Sequence, residues 1–420
     1  MSPKAAVLLA LLVATTAVPA VASTRMTYDI HGKSTTIQWA PTSFPLRYDI
    51  DQRLASRAAE IDRAFQAWQN VADTDVRFER GNVVAKATAV NDGHVIVSMA
   101  DTLFQDQGAF ALTTYTFDDA GRFTDVDIQV DAALFQGNFN QEMALQHEVG
   151  HLLGFDHSPV LSSVMFPHVL RGDSDLIFDS DDRLAIATMY PKADPSGLGA
   201  TLQGRVIGDQ GGIFAAQVVA VNEQGTPIAS ALTDTAGEFT IAGIPKGAYR
   251  LYAEPLDGPV NVSDLRGVWR GAAPVNSFPT RFYGETMRVE PGKVYGNLIL
   301  SASGGTARLN PQLIGSAEVG ASGFSLSREV VEVKAGQKFD LAVAGDGFTS
   351  GMTELEILNP AFRRISDFRW ASDYVSATYE VDPAAASSSA VILVKSGNET
   401  ATLTGALRVR GAARGRAVRH

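Results

Sequence analysis

A chain of 420 residues with 45% hydrophobic and 19% charged residues has a globular composition, and at roughly 100–200 residues per domain it calls for two to four domains. Its formal net charge of −11 excludes nucleic acid as an expected partner, because phosphate binding needs a basic surface.

At the start of the chain, Lys4, the apolar run from Ala5 to Val18 and the small-residue pattern Ala20-Val21-Ala22 describe a secretory signal over residues 1–22, with Ser23 opening the mature chain. That run is shorter than the roughly 20 residues needed to span a bilayer. No later stretch is apolar enough either, so the expectation is an extracellular or cell-surface-associated protein without a transmembrane segment. Export would permit disulfides, yet the chain has no cysteine, so packing or metal must hold its domains. The Asn-x-Ser/Thr triplets at Asn261 and Asn398 read as incidental.

Residues 23–192 mix strand and helix patterns. Thr36 to Trp39 and Leu46 to Ile50 read as strands, and from Leu54 to Val71 the apolar Ile61, Ala64, Phe65 and Trp68 recur at helical spacing. Strands are expected again at Asp75 to Phe78, His94 to Met99, Ala111 to Phe117 and Val126 to Val130. Asn140 is placed to cap a helix from Gln141 to Leu153, and a last helix runs from Asp181 to Met189 before Tyr190-Pro191. Ala193 to Gly199 reads as a linker. Beyond it, short alternating runs predict two β-sandwiches, over 200–300 and 306–410, followed by a disordered basic tail at 411–420.

The segment carrying chemistry is His147-Glu148-Val149-Gly150-His151-Leu152-Leu153-Gly154-Phe155-Asp156-His157. Residues four apart share a helix face, so His147 and His151 can bring two imidazoles to one metal. Gly154 can adopt a left-handed conformation, end the helix and swing His157 back as a third ligand. Three histidines with an open fourth position suit a catalytic Zn²⁺, and Glu148 is placed to act as general base. A bare HExxH arises by chance in roughly one such chain in a few hundred, but the extended pattern in about one in a hundred thousand, so chance is a poor account.

With this motif the sequence resembles the metzincin peptidases, and His157-Ser158 resembles the ending of the matrixin-like group in a bacterial, cysteine-free form. The resemblance implies an α+β catalytic domain, a twisted mixed sheet with an active-site helix, and a methionine turn below the metal, for which Ser163-Val164-Met165-Phe166-Pro167 is the candidate. Taken alone, Met165 reads as a plain core residue. With no cysteine in the sequence, latency through a cysteine-bearing pro-segment is not expected, and Phe166 stands where several metzincins have tyrosine, so no tyrosine ligand is expected. His94 and His168 read as packed or surface residues. The clusters Asp118, Asp119, Asp125, Asp127, Asp131 and Asp173, Asp175, Asp179, Asp181, Asp182 carry oxygen ligands of the kind Ca²⁺ takes, but lack the EF-hand spacing and read as solvated turns. Arg171-Gly172-Asp173 reads as coincidence.

The 200–300 segment resembles a carboxypeptidase regulatory-like sandwich in Gly204-Arg205-Val206, Thr233 to Phe239 and Gly247-Ala248-Tyr249. The next resembles an immunoglobulin-like domain. Either could bind substrate or a surface, or space the enzyme. The expected function is a secreted zinc endopeptidase acting on proteins or peptides. The alternative is an adhesion or matrix-binding protein with a vestigial metal domain, against which the intact four-residue set argues. Because all catalytic groups precede the linker, a chain ending near Asp194 is expected to fold and cleave short peptides alone.

Overall fold

The computed structural model describes residues 24–85, 91–100, 109–168, 178–192, 199–270, 278–303 and 307–411. The expected signal segment, residues 193–198 of the linker, Arg171-Gly172-Asp173 and the tail beyond Gly411 lie outside them, as do Asp173 and Asp175. No helix among the described residues is long and apolar enough to cross a membrane.

The first part opens with an antiparallel hairpin, β1 (Thr27–Ile30) and β2 (Lys33–Thr36). The strand expected from Thr36 to Trp39 is displaced: Ile37 donates its N–H to Met26 and Gln38 bridges to Arg122. Next come β3 (Leu46–Asp51), helix α1 (Ala58–Gln69), β4 (Phe78–Val84), β5 (Val95–Met99), β6 (Ala111–Phe117) and β7 (Phe123–Val130). They form a five-stranded sheet in the order β4-β3-β5-β7-β6, parallel except for β6, which runs antiparallel to β7 along the edge. Helices α2 (Gln141–Leu152) and α3 (Ser180–Met189) complete this part.

Two boundaries moved for local reasons. The helix expected from Leu54 starts at Ala58, because Asp51 accepts the Arg53 N–H at 2.8 Å and its guanidinium, tightening Gln52–Arg57 into a 3₁₀ turn. Asp75 to Phe78 is not a strand: Asp75 N–H is held by Tyr190 O at 2.8 Å and Thr74 bridges Pro191, so pairing begins only at Phe78.

The apolar stripe of α1 packs as its spacing demands. Ile61, Ala64, Phe65 and Trp68 are buried, Phe65 stacks on Tyr48 with ring centroids 3.8 Å apart, and the Trp68 indole donates to Gln146 O on α2 at 2.8 Å. Each such buried side chain contributes about 1.5–3 kcal/mol, more than one net hydrogen bond at about 1 kcal/mol. Burial therefore holds α1 on α2, and the indole bond sets the register between them.

Beyond Gly199 the described chain is all strands and 3₁₀ turns. Strands Ala200–Gly208, Gly211–Gly212, Glu238–Ile244 and Val294–Ser301 form one sheet, facing a second of Gln217–Asn222, Pro227–Leu232, Gly247–Glu254, Arg281–Phe282 and Met287–Val289. Strands between Asn310 and Arg410 form another pair of sheets, of five and four strands. This architecture is consistent with the expected α+β domain followed by β-sandwich domains.

These parts are not beads on a string. One buried apolar cluster contains Trp68 and Leu152 together with Leu265 and Trp269 of the first sandwich and Leu341 and Leu407 of the second. Leu161 N–H donates to Thr404 O at 2.9 Å, and the Arg408 guanidinium donates to Ser162 O. The second acidic cluster lies in this junction rather than in a solvated turn. Asp181 accepts from the Ser230 N–H at 2.7 Å, Asp182 from the Ser163 hydroxyl at 2.5 Å, and Asp179 from the Ser162 hydroxyl. Asp125, Asp127 and Asp131 are buried too, and accept backbone N–H groups of Gly93, Ile96 and Ala133. These carboxylates serve as acceptors for backbone N–H groups, and their arrangement lends no support to a calcium site.

Two expectations follow from the junction. Burial, then the neighbouring Asp182 carboxylate, pushes Asp181 up to about 8, against about 3.9 for an unfolded aspartate. The folded state then binds the extra proton, so this stability is full below about pH 4 and lost as pH rises through about 8. Urea unfolding of the parent and Asp181→Asn from pH 5 to 9 should show the parent losing stability relative to the variant as pH rises; parallel curves would contradict the assignment. Ending the chain near Asp194 removes Ser230, Thr404 and Arg408 and opens the shared core. Contrary to the independence expected from the linker, the truncated chain should melt well below the full-length chain and bind an apolar dye; an equal melting temperature would restore that independence.

Candidate metal centre

Helix α2 starts where Asn140 accepts the Met143 N–H at 3.0 Å. It ends in a Schellman arrangement: Gly154 N–H donates to His151 O at 2.9 Å and Phe155 N–H to Gly150 O at 3.0 Å, with Gly154 at φ 95°. A Cβ on Gly154 would collide with Ile37 O, so only glycine fits this turn. The chain reverses there, and His157 returns toward the helix.

His147, His151 and His157 present one ligand atom each, all within 4.8 Å of one another, and they are the one such cluster of three or more metal-ligating side chains among the described residues. Each ring makes a hydrogen bond through Nδ1 to a main-chain oxygen: His147 to Val164 at 2.8 Å, His151 to Phe155 at 2.8 Å, and His157 to Asp264. A carbonyl only accepts, so each Nδ1 carries the proton and each Nε2 keeps its lone pair. His151 Nε2 is buried without a hydrogen-bond partner, an orphan that an ion at the cluster would satisfy. Burial holds all three imidazoles below their ordinary pKa, His157 down to about 3. They are therefore neutral at pH 7, as ligation requires. The residues fit a zinc ion.

Glu148 is 7% exposed and its Oε2 accepts the Thr113 hydroxyl at 2.6 Å from the edge strand β6. Nothing in the spacing of the sequence pointed to Thr113. Met165 is a buried core residue whose sulfur lies against Gly150 in the turn of α2 between the two helix histidines, beside Trp68. His94 is exposed; His168 is half-buried against Phe166.

Asp264 and Arg266 were also not anticipated. They lie in the first sandwich's sequence, 107 residues beyond His157 for Asp264, and no local pattern links the two. Arg266 reaches Thr113 O at 3.5 Å, and its guanidinium lies 5.8 Å from the Tyr115 ring centre.

A Cβ on Gly150 would overlap the Met165 sulfur and crowd Trp68. Gly150→Ala should cost about 1–3 kcal/mol through overpacking, measurable by urea unfolding, and should weaken zinc binding as the helix shifts. Unchanged stability and zinc affinity would show that Met165 moves aside freely.

Comparisons with known proteins agree with this geometry. The family model for Matrixin, a peptidase family, matches residues 22–191, less than half the chain. That match and the histidine cluster support a zinc metalloendopeptidase with a catalytic zinc. No curated protein matches the chain. Among solved structures, the major pilin subunit of Bacillus cereus is similar at 10% identity over 51% of this chain and 70% of that chain, with a TM-score of 0.16. The titin domains Z1Z2 in complex with telethonin are similar at 12% identity over 50% and 94%, with a TM-score of 0.14. Overlaps this weak leave the fold to be read from the sheets themselves.

Proposed function

We propose that the protein is a secreted zinc-dependent endopeptidase in which His147, His151 and His157 hold the ion and Glu148 is the general base. The observation that carries this reading is the convergence of three imidazoles, one ring nitrogen of each within 4.8 Å of the others, with every Nδ1–H bonded to a main-chain oxygen. When bound, zinc supplies a water of pKa about 7 and polarises a peptide carbonyl. Glu148 takes up a proton from water and returns it to the departing amine. The Thr113 hydroxyl donates to Oε2 and so helps fix the orientation of this carboxylate.

Two features favour a polypeptide substrate. Strand β6 is the edge of its sheet and packs beside α2, so an extended peptide can add to it by main-chain hydrogen bonds. His147 and His157 remain partly accessible while His151 is buried, which leaves one open side for a substrate carbonyl. The signal-like segment at 1–22 supports secretion. A vestigial site would be expected to have lost the base or a ligand, and all four groups are present.

Glu148→Gln should keep about one zinc per chain while hydrolysis of an unstructured protein falls by about 10²–10⁴. His151→Ala should lose zinc and activity together. Parent-like turnover by the Glu148 variant would remove the general-base assignment. Activity that survives full zinc removal by a chelator would remove the metal.

A further inference from the structure

We propose that the segment Asn261–Trp269 of the first sandwich is a working part of the metal centre, orienting His157 so that zinc affinity depends on its docking. This deepens the proposed zinc-peptidase function and rests on it.

The three imidazoles are not held alike. His147 takes its carbonyl from Val164 and His151 from Phe155, both within the matrixin-like part. His157, which lies past the end of α2 on irregular chain, takes its carbonyl from Asp264. A reciprocal clamp fixes the pair: the Asp156 carboxylate, fully buried, accepts the His157 N–H at 2.8 Å through Oδ1 and the Arg266 N–H at 2.8 Å through Oδ2. Both His157 and the segment that orients it therefore hang on one carboxylate.

The segment is built to hold that carbonyl still. Asn261 accepts the Ser263 N–H at 2.9 Å while its own N–H donates to the Asp264 side chain at 2.9 Å, closing a capping box around a 3₁₀ turn. Gly267, at φ 58°, passes so close to β1 that a Cβ there would collide with Thr27 O. Leu265 and Trp269 are buried in the core shared with α1 and α2. Removing a partner that orients a ligating histidine typically costs about 10–100-fold in metal affinity. By linkage, a docked segment tightens zinc, and bound zinc tightens docking by the same factor.

Two full-length substitutions separate the docked backbone from the side chain. Arg266→Ala keeps the N–H that Asp156 accepts; Arg266→Pro removes it and, because proline holds φ at about −65° whereas Arg266 lies at φ −116°, also pulls the segment off its docked path. Zinc affinity measured by chelator competition should fall about 10–100-fold in the proline variant. In the alanine variant it should stay equal to the parent or rise, since a positive charge near the histidines has gone. The visible spectrum of the cobalt-substituted protein should change in the proline variant alone, a signature that loss of general stability would not produce. A proline variant that melts cooperatively, binds zinc as tightly as the alanine variant and keeps its cobalt spectrum overturns the proposal.

Should the proline variant fail to fold, hydrogen exchange on the parent decides. The Arg266 amide should exchange more slowly in the zinc-loaded than in the zinc-free chain, and equal exchange overturns the proposal. A parent that binds no zinc, or a His151→Ala variant that binds it equally well, overturns the metal reading and this inference with it. A parent needing His151, paired with indistinguishable proline and alanine variants, overturns this inference alone.

Discussion

An imidazole offers a metal its lone pair only when its proton sits on the other nitrogen, and the site depends on that condition being met three times. Val164, Phe155 and Asp264 each supply a main-chain carbonyl to an Nδ1–H. Side chains rotate, whereas a carbonyl held in a packed turn does not, so the tautomer and the ring plane are settled before an ion arrives. The remaining design can be followed outward from these carbonyls. The methionine turn carries the first, the helix C-terminus the second, and the first sandwich the third.

Packing explains why those carbonyls stay in place. The turn at Ser163 to Phe166 is held from below by Asp182, which accepts from the Ser163 hydroxyl and the Val164 N–H. It is held from above by the fit of Met165 against Gly150. Asp182 also accepts the Asp179 N–H and so caps α3. One carboxylate thereby couples the closing helix to the carbonyl that orients His147. Burial of neighbouring carboxylates is unfavourable by itself; the donors to Asp182 come from within the same part, whereas Asp181 keeps the Ser230 donors only while the junction with the first sandwich stays closed.

That junction changes what the sandwiches are for. Their inner faces bury their own apolar residues as β-sandwiches do, yet the strand Glu399–Arg410 and the segment around Leu265 also close over the metallopeptidase part. Gly405 sits so near Ser162 and Val160 that a side chain there would clash. Such close backbone approach is a feature of a fixed interface rather than of a tethered domain.

The sequence by itself determined the local elements and the candidate metal ligands. The stripe Ile61, Ala64, Phe65, Trp68 specifies α1, Asn140 and Gly154 specify the ends of α2, and the histidine spacing specifies a metal site, because each depends on residues within a few turns of one another. It placed the later strands in sandwiches for the same reason, whereas the turn at Met165 came from the family resemblance and not from the residues alone. It missed strand β4, whose burial does not alternate because it lies at the sheet edge. It also read Asp125, Asp127, Asp181 and Asp182 as solvated, since a carboxylate shows in sequence as charge and not as the donors that surround it. Only the tertiary structure decided that Thr113 meets Glu148, that Ser230 meets Asp181 and that Asp264 meets His157. Those partners lie 35, 49 and 107 residues apart, and contacts across such separations leave no periodicity in the chain, being fixed by how sheets and helices pack rather than by any neighbouring residue.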